Sequence, residues 1–205
     1  MGESQEINVT TEPDREWIDR HFAGRLGRFL EIGAYDGRTH SKTLGLIEAG
    51  WSGVMVEGNA RVFLRLLEEH GRNQRLQLVH AVVTADGGVE PWWDNLGNGG
   101  GELSTVSAGH VEHWQRRGAT FVRYFTGSIS LADLLKFTGL DFDFLLVDVE
   151  GINPQILAAL PLDRMARTEV ICAEKQAGPE TVMDYLGRWY EQVLVTHDNV
   201  VAVRK

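Results

Sequence analysis

With one cysteine and no long apolar run, this chain of 205 residues rules out two whole classes of protein at the start. Cys172 has no second cysteine to pair with, so a disulfide framework is excluded, and its neighbours Val170, Ile171 and Ala173 mark it as a thiol buried in a strand, inert rather than nucleophilic. No segment approaches the roughly 20 apolar residues that a bilayer-spanning helix needs. The stretch from Met1 to Asp14 lacks both the basic flank and the apolar core of a secretory signal, so a cytoplasmic location away from membranes is expected. Basic charge is scarce as well: 20 Lys and Arg face 29 Asp and Glu, for a net charge of −9. A nucleic-acid partner is therefore discounted, because neutralising phosphates needs clustered cations. The hydrophobic share of 43% and charged share of 24% are ordinary for a globular protein, which leaves the motifs to decide.

From Arg28 onward, short apolar runs alternate with amphipathic stretches, as parallel strands joined by crossover helices do. Phe29, Leu30 and Ile32 predict a buried strand, Thr39 to Ala49 a helix, and Val54-Met55-Val56 a second strand after the turn Gly50-Trp51-Ser52-Gly53. Asn59 is the expected N-cap of a helix from Ala60 to His70, and a third strand is expected from Leu76 to Thr84. Further on, the pattern predicts a helix from Ser130 to Phe137 capped by Ser128 or Ser130 and a strand from Phe142 to Val147. A helix from Pro154 to Leu160, a strand from Glu169 to Ala173 and a helix from Pro179 to Trp189 follow. Only Thr196-His197-Asp198-Asn199 separates the runs Val193 to Val195 and Val200 to Val203, too short for a crossover, so these two should form an antiparallel hairpin. The expectation is one α/β domain over 1–205, with a polar segment and helix over 1–27. An insertion over 86–127, rich in glycine and tryptophan, is read as a substrate-binding or lid region with mobile parts around Gly97 to Gly101.

Three segments carry the chemistry. Glu31-Ile32-Gly33-Ala34-Tyr35-Asp36-Gly37 runs from a strand into a glycine-bearing loop, with Ser41 close behind; Gly33 and Gly37 let the backbone turn and a ligand come near. The spacing is neither GxGxxG nor the GK[ST] ending of a phosphate loop, so no diphosphate or triphosphate is indicated. Glu31 suits an ammonium group. Glu57, at the end of the second strand, suits ribose hydroxyls. The third segment, Phe144-Leu145-Leu146-Val147-Asp148-Val149-Glu150-Gly151, delivers two carboxylates to the carboxyl edge of the sheet, where open α/β sheets bind ligands. Asp148 is placed with the cofactor or substrate. Glu150 either takes a substrate proton or caps the helix near Asn153. Such a pair is also compatible with Mg²⁺, although the sequence marks no other ligands.

Taken in order, Glu31 to Gly37 with Ser41 and Thr43, Gly50 to Glu57, and Val147 to Gly151 resemble the successive motifs of FkbM-type methyltransferases over about residues 28–205. The resemblance implies a Rossmann-like class I methyltransferase fold: a mostly parallel seven-stranded sheet ending in the antiparallel hairpin, with helices on both faces. It implies S-adenosylmethionine as donor, bound by Glu31, Gly33, Ala34, Tyr35, Asp36, Gly37, Ser41, Glu57 and Asp148, and a hydroxyl of a sugar or natural product as acceptor. Two departures stand out. The family's Glu-Pro-Asn-Pro is here Glu57-Gly58-Asn59-Ala60, and Asn153 stands where an acidic residue is common. Deprotonating a hydroxyl calls for a base, for which Asp148, Glu150, His40, His110 and His113 are candidates, His110 favoured among the histidines. Trp92, Trp93 and Trp114 either wall an acceptor or anchor the insertion, and Arg116 and Arg117 read as a solvated face. Two rival readings are a catalytically silent cofactor-binding module and a nicotinamide-dependent oxidoreductase; the second should show GxGxxG and lack the hairpin. A homo-oligomer is left open.

Overall fold

The computed structural model describes residues 13–97, 100–175 and 179–205. Ten strands and seven helices follow one another along these residues. A seven-stranded sheet takes β1 (Arg28–Ile32), β2 (Ser52–Glu57), β3 (Leu76–His80), β7 (Phe144–Val147), β8 (Val170–Glu174), β9 (Tyr190–Val195) and β10 (Asn199–Arg204) in the spatial order β3-β2-β1-β7-β8-β10-β9. Only β10 is reversed, antiparallel to β8 on one side and β9 on the other, as the hairpin expectation required. The chain builds outward from β1 to β3 in one direction and from β7 onward in the other. A crevice therefore opens beyond the carboxyl ends of β1 and β7, the place where such sheets take ligands.

Alternation along the strands divides the core in two, because successive side chains point to opposite faces. Leu30, Ile32, Leu145, Val147 and Ile171 pack with Leu134 of α5 (Leu131–Thr138), Ile156 of α6 (Asn153–Ala159) and Leu186 of α7 (Pro179–Leu186). Phe29, Met55, Phe144, Leu146 and Cys172 pack on the other face. They meet Ile18 of α1 (Pro13–His21), Leu46 of α2 (Leu44–Glu48) and Leu66 of α3 (Ala60–His70). Cys172 is fully buried, and burial pushes its thiol up, in keeping with an inert side chain. Among the described residues no helix is long and apolar enough to cross a membrane.

Two expectations about length need correction. The helix predicted from Thr39 is a single short run, Leu44–Glu48, because Ser41 bends the chain first: its hydroxyl accepts the amides of Thr43 and Leu44. The strand predicted from Leu76 to Thr84 breaks at Ala81. Glu57 is the last residue of β2 and pairs with His80, so β3 has no partner beyond that point. Val82–Thr84 instead forms β4 of a second sheet, beside β6 (Phe121–Ser130), which also pairs antiparallel with β5 (Gly88–Asn95).

The region 86–127 is thus built mostly of regular elements, with α4 (Ala108–Gln115) between β5 and β6, capped by Ser107. Of the run Gly97 to Gly101, Asn98 and Gly99 lie outside the described residues. The other caps follow the sequence: Asn59 accepts the amides of Arg61 and Val62, and Ser130 accepts that of Asp133.

Candidate functional site

At the carboxyl end of β1 the backbone comes so close to the next strand that only glycine fits. A Cβ on Gly33 would lie 1.8 Å from the carbonyl oxygen of Asp148, and its φ of +93° is itself strained for other residues. The amides of Gly33 and Ala34 both donate to the carbonyl of Val56, and that of Asp148 to Ile32, so the three strand ends are locked around the crevice.

A cavity of about 280 Å³ fills it, lined on one side by Glu31, Gly33, Ala34, Tyr35, Ser41 and Glu57, all members of the cofactor set expected from the sequence, and on another by Asp148 and Glu150. Two predicted members are set back from this lining. Asp36 accepts the amides of Arg38 and Thr39 and the hydroxyl of Thr39, which shapes the turn; Gly37 lies against His70, which contacts its carbonyl at 2.9 Å. Both support the loop.

Two of the carboxylates here are held by hydrogen bonds from their neighbours. Thr43 donates to Glu31 Oε2 at 2.8 Å. The backbone amides of Tyr35 and Asn59 donate to the two oxygens of Glu57, at 2.9 and 2.6 Å. Burial raises the Glu31 carboxyl to about 8 despite that hydroxyl, with Asp148 and Glu57 adding to the rise. Burial likewise brings Glu57 to about 7 against its backbone amides, and Asp148 to about 6 against the attraction of Lys42. Three acidic groups this strained for positive charge make a cavity that suits a cationic ligand. Its apolar wall, Ile32, Val56, Val82, Val83, Trp92 and Ile152, suits a flat ring. Trp92 is the one tryptophan of the insertion placed here, its ring edge against Gly58 and its indole N–H buried without a hydrogen-bond partner.

A second cavity, of about 620 Å³, adjoins the first, and His40, Lys42, Asp148 and Glu150 border both. Its outer wall is α4, which presents His110, His113 and Trp114. Gly151, with φ +85°, permits this approach: a Cβ there would come within 2.6 Å of Ser107 Cβ and 2.8 Å of His110 Cβ. Thr105 adds a tie from the insertion, its hydroxyl donating to the carbonyl of Glu150.

His110 Nε2 stands 3.1 Å from Glu150 Oε2, out of alignment for a hydrogen bond. Burial depresses the His110 imidazole to about 4, with His113 contributing, whereas burial, Glu174 and Asp148 lift the Glu150 carboxyl well above its ordinary range. Burial thus disfavours the charged form of both groups, which stand side by side at the junction of the cavities. Glu150 does not cap α6; the N-cap position is Ile152, without a side-chain bond. Asn153, at the position of the second family departure, donates to Glu174 at 2.6 Å and accepts the amide of Val149, a brace for the Asp148 to Gly151 turn.

Sequence reasoning passed over Lys42, Glu174 and Asp198. Lys42, 7% exposed, lies 3.8 Å from the buried Asp14 of α1, which also accepts a hydrogen bond from Asn199. Its signal was a lysine between Ser41 and Thr43, two residues that the motif did include. Glu174 ends β8 one residue past the predicted strand. Trp93 and the two arginines fall outside both cavities: Trp93 stacks under Arg123 at 5.3 Å, and Arg116 and Arg117 are exposed.

No family model and no curated protein matches the chain. Solved structures do. The methyltransferase FkbM from Methylobacillus flagellatus KT aligns with a TM-score of 0.55 at 10% identity, over 86% of this chain and 43% of its own. The precorrin-6y C5,15-methyltransferase from Geobacter metallireducens GS-15 aligns with a TM-score of 0.54 at 10% identity, over 100% and 94%. The methyltransferase domain of METTL16 aligns with a TM-score of 0.50 at 12% identity, over 93% and 65%. The chain thus spans less than half the length of the FkbM structure. At these identities the likeness establishes a Rossmann-like fold shared with methyltransferases.

Proposed function

We propose that this chain is an S-adenosylmethionine-dependent methyltransferase acting on a hydroxyl of a small molecule, a sugar or a natural-product intermediate. The observation that carries the reading is the first cavity's set of buried carboxylates, Glu31, Glu57 and Asp148, at the switch point of a sheet that the methyltransferases named above share. The donor brings a positively charged sulfonium and an ammonium, and supplies an electrophilic methyl group.

The residues fit such a ligand. Glu57 keeps lone pairs for ribose hydroxyls after serving the amides of Tyr35 and Asn59, since each carboxylate oxygen accepts more than one bond. Glu31, steadied by Thr43, accepts from the ammonium end, and Val82, Val83 and Trp92 enclose the purine. Gly33 leaves the backbone bare where the ligand passes. At the junction of the two cavities Glu150, with His110 3.1 Å away, would take the proton of the acceptor hydroxyl as the donor's methyl group passes to that oxygen. The net charge of −9 and the acidic second cavity favour a small acceptor over a nucleic acid.

Calorimetry on the purified chain with S-adenosylmethionine, S-adenosylhomocysteine and NAD, beside Glu57→Ala and Gly33→Val variants, tests this. Micromolar-range binding of the methionine-derived pair, lost in both variants, supports the reading; a preference for NAD, or no binding, overturns it.

A further inference from the structure

The second cavity carries more negative charge than its position beside a cationic donor requires. Among the described residues Asp148, Glu150, Glu174 and Asp198 line it, against the ammonium groups of Lys42 and Lys175. Lys42 lies 3.8 Å from Asp14 below the lining and also attracts Asp148 and Asp198, so the two lysines offset only part of the four carboxylates. Oxygens of Asp148, Glu150 and Glu174 come within 4.8 Å of one another, so each carboxylate is charged at the expense of the others. Across from them Trp114 offers an aromatic ring one helical turn along α4 from His110.

Three acceptor chemistries meet this wall differently. A carboxylate or phosphate on the acceptor adds to the repulsion. A neutral polyol accepts the geometry but leaves the carboxylates crowded. A protonated amine relieves the crowding, and its carrier ring packs on the part of Trp114 that lines the cavity.

We propose, on the methyl-transfer reading above, that the second cavity is the acceptor subsite and selects a hydroxylated ring bearing a protonated amine, the amine lying toward Glu174 and Asp198 and the reacting hydroxyl toward Glu150 and His110. Trp114 sits against the ring. The subsite is built by α4 on one side and by the ends of β7 and β8 and the β9–β10 turn on the other, so the insertion sets the acceptor while the main sheet sets the donor.

The test uses the full chain loaded with S-adenosylhomocysteine at neutral pH, with glucosamine, glucose and glucuronate as probes of one ring in three charge states. Saturation-transfer NMR and tryptophan fluorescence read the binding. Glucosamine should bind about tenfold more tightly than glucose, and glucuronate least. The paired variant Glu174→Gln with Asp198→Asn should erase the preference while leaving S-adenosylhomocysteine affinity unchanged. Trp114→Ala should weaken all three probes. Equal binding of glucosamine and glucose, binding of neither, a preference that survives the paired variant, or Mg²⁺ that occupies the carboxylates and excludes glucosamine each overturns the proposal. If S-adenosylhomocysteine still binds in those cases, the methyl-transfer reading stands and only the acceptor class falls; if it does not bind, both fall.

Discussion

Glu31, Gly33 and Glu57 reach the first cavity from two adjacent strands joined by one short helix, whereas the second cavity gathers Lys42, His110, Glu150, Glu174 and Asp198 from five separate segments: three turns or loops, one helix and one strand end. The first set is fixed by backbone: strand registers, two amides on Glu57 and a glycine that tolerates no side chain. The second depends on how an inserted helix rests on a turn. A site made by strand ends is rigid by construction, and one made by a docked helix is adjustable. That division suits a shared donor and a variable acceptor, and it makes the two halves separable by mutation.

The strongest way to break the comparison is to damage one half and examine the other. Gly33→Val forces a branched side chain into the Asp148 carbonyl at a positive φ, and should cost roughly 3 kcal/mol or more of stability along with all donor binding. Gly151→Ala presses instead on Ser107 and His110, so it should lift α4, cost about 1–2 kcal/mol and spare S-adenosylhomocysteine affinity. Urea denaturation and calorimetry read both. Equal loss of donor binding in the two variants would show that the cavities are one unit.

Next in size is Glu150→Gln, which should lower kcat roughly 10²- to 10³-fold on an acceptor found by screening hydroxylated amines, with donor affinity intact. The wild-type rate should also climb with pH, because the Glu150 carboxyl is raised and only its ionised form accepts a proton. A His110→Gln variant slower than Glu150→Gln would reassign the base.

What could be read from the sequence follows the same division. The strand carrying Glu31 to Gly37, the acidic end of β2, the apolar run before Asp148 and the closing hairpin are each local patterns of period two or of glycine spacing, and each lands where it was expected. The break at Ala81 was hidden because strand length depends on where the neighbour β2 stops, and no residue in Leu76 to Thr84 records that. The rise of the Glu150 carboxyl was hidden for a like reason: it arises from burial and from Glu174, which lies 24 residues away in sequence. Asp14 joining Lys42 from α1, 28 residues earlier in the chain, is another contact that only the assembled fold creates. Trp92, Trp93 and Trp114 looked alike in sequence, yet they fall in the first cavity, outside both, and in the second.

A gentler effect sharpens the electrostatic side of the contrast. Glu31 is fully buried with its carboxyl at about 8, above its value in the unfolded chain, so the unliganded fold holds a proton that unfolding releases. Stability of the free protein should therefore fall as pH rises from the ordinary carboxyl range through about 8. A cationic donor favours the ionised form, so donor affinity should rise over the upper part of that range, by roughly tenfold between pH 6 and 8, with a proton released on binding. Calorimetry in buffers of different ionisation enthalpy counts that proton. Glu31→Gln should flatten both trends; a release that persists in the variant would move the titrating group to Glu57 or Asp148.

The smallest expected change isolates the docked helix. Ser107 caps α4 by accepting the amide of His110, and its own amide donates to Thr105, whose hydroxyl in turn holds the carbonyl of Glu150. Ser107→Ala keeps the backbone links and removes only the cap, for a cost of about 0.5–1 kcal/mol. If α4 is an adjustable wall, that cost appears as faster hydrogen exchange over Ala108–Gln115 with unchanged protection in β1 and β2, since only the helix opens. If exchange accelerates equally in the strands, α4 is part of the global fold, and the acceptor side is as rigid as the donor side.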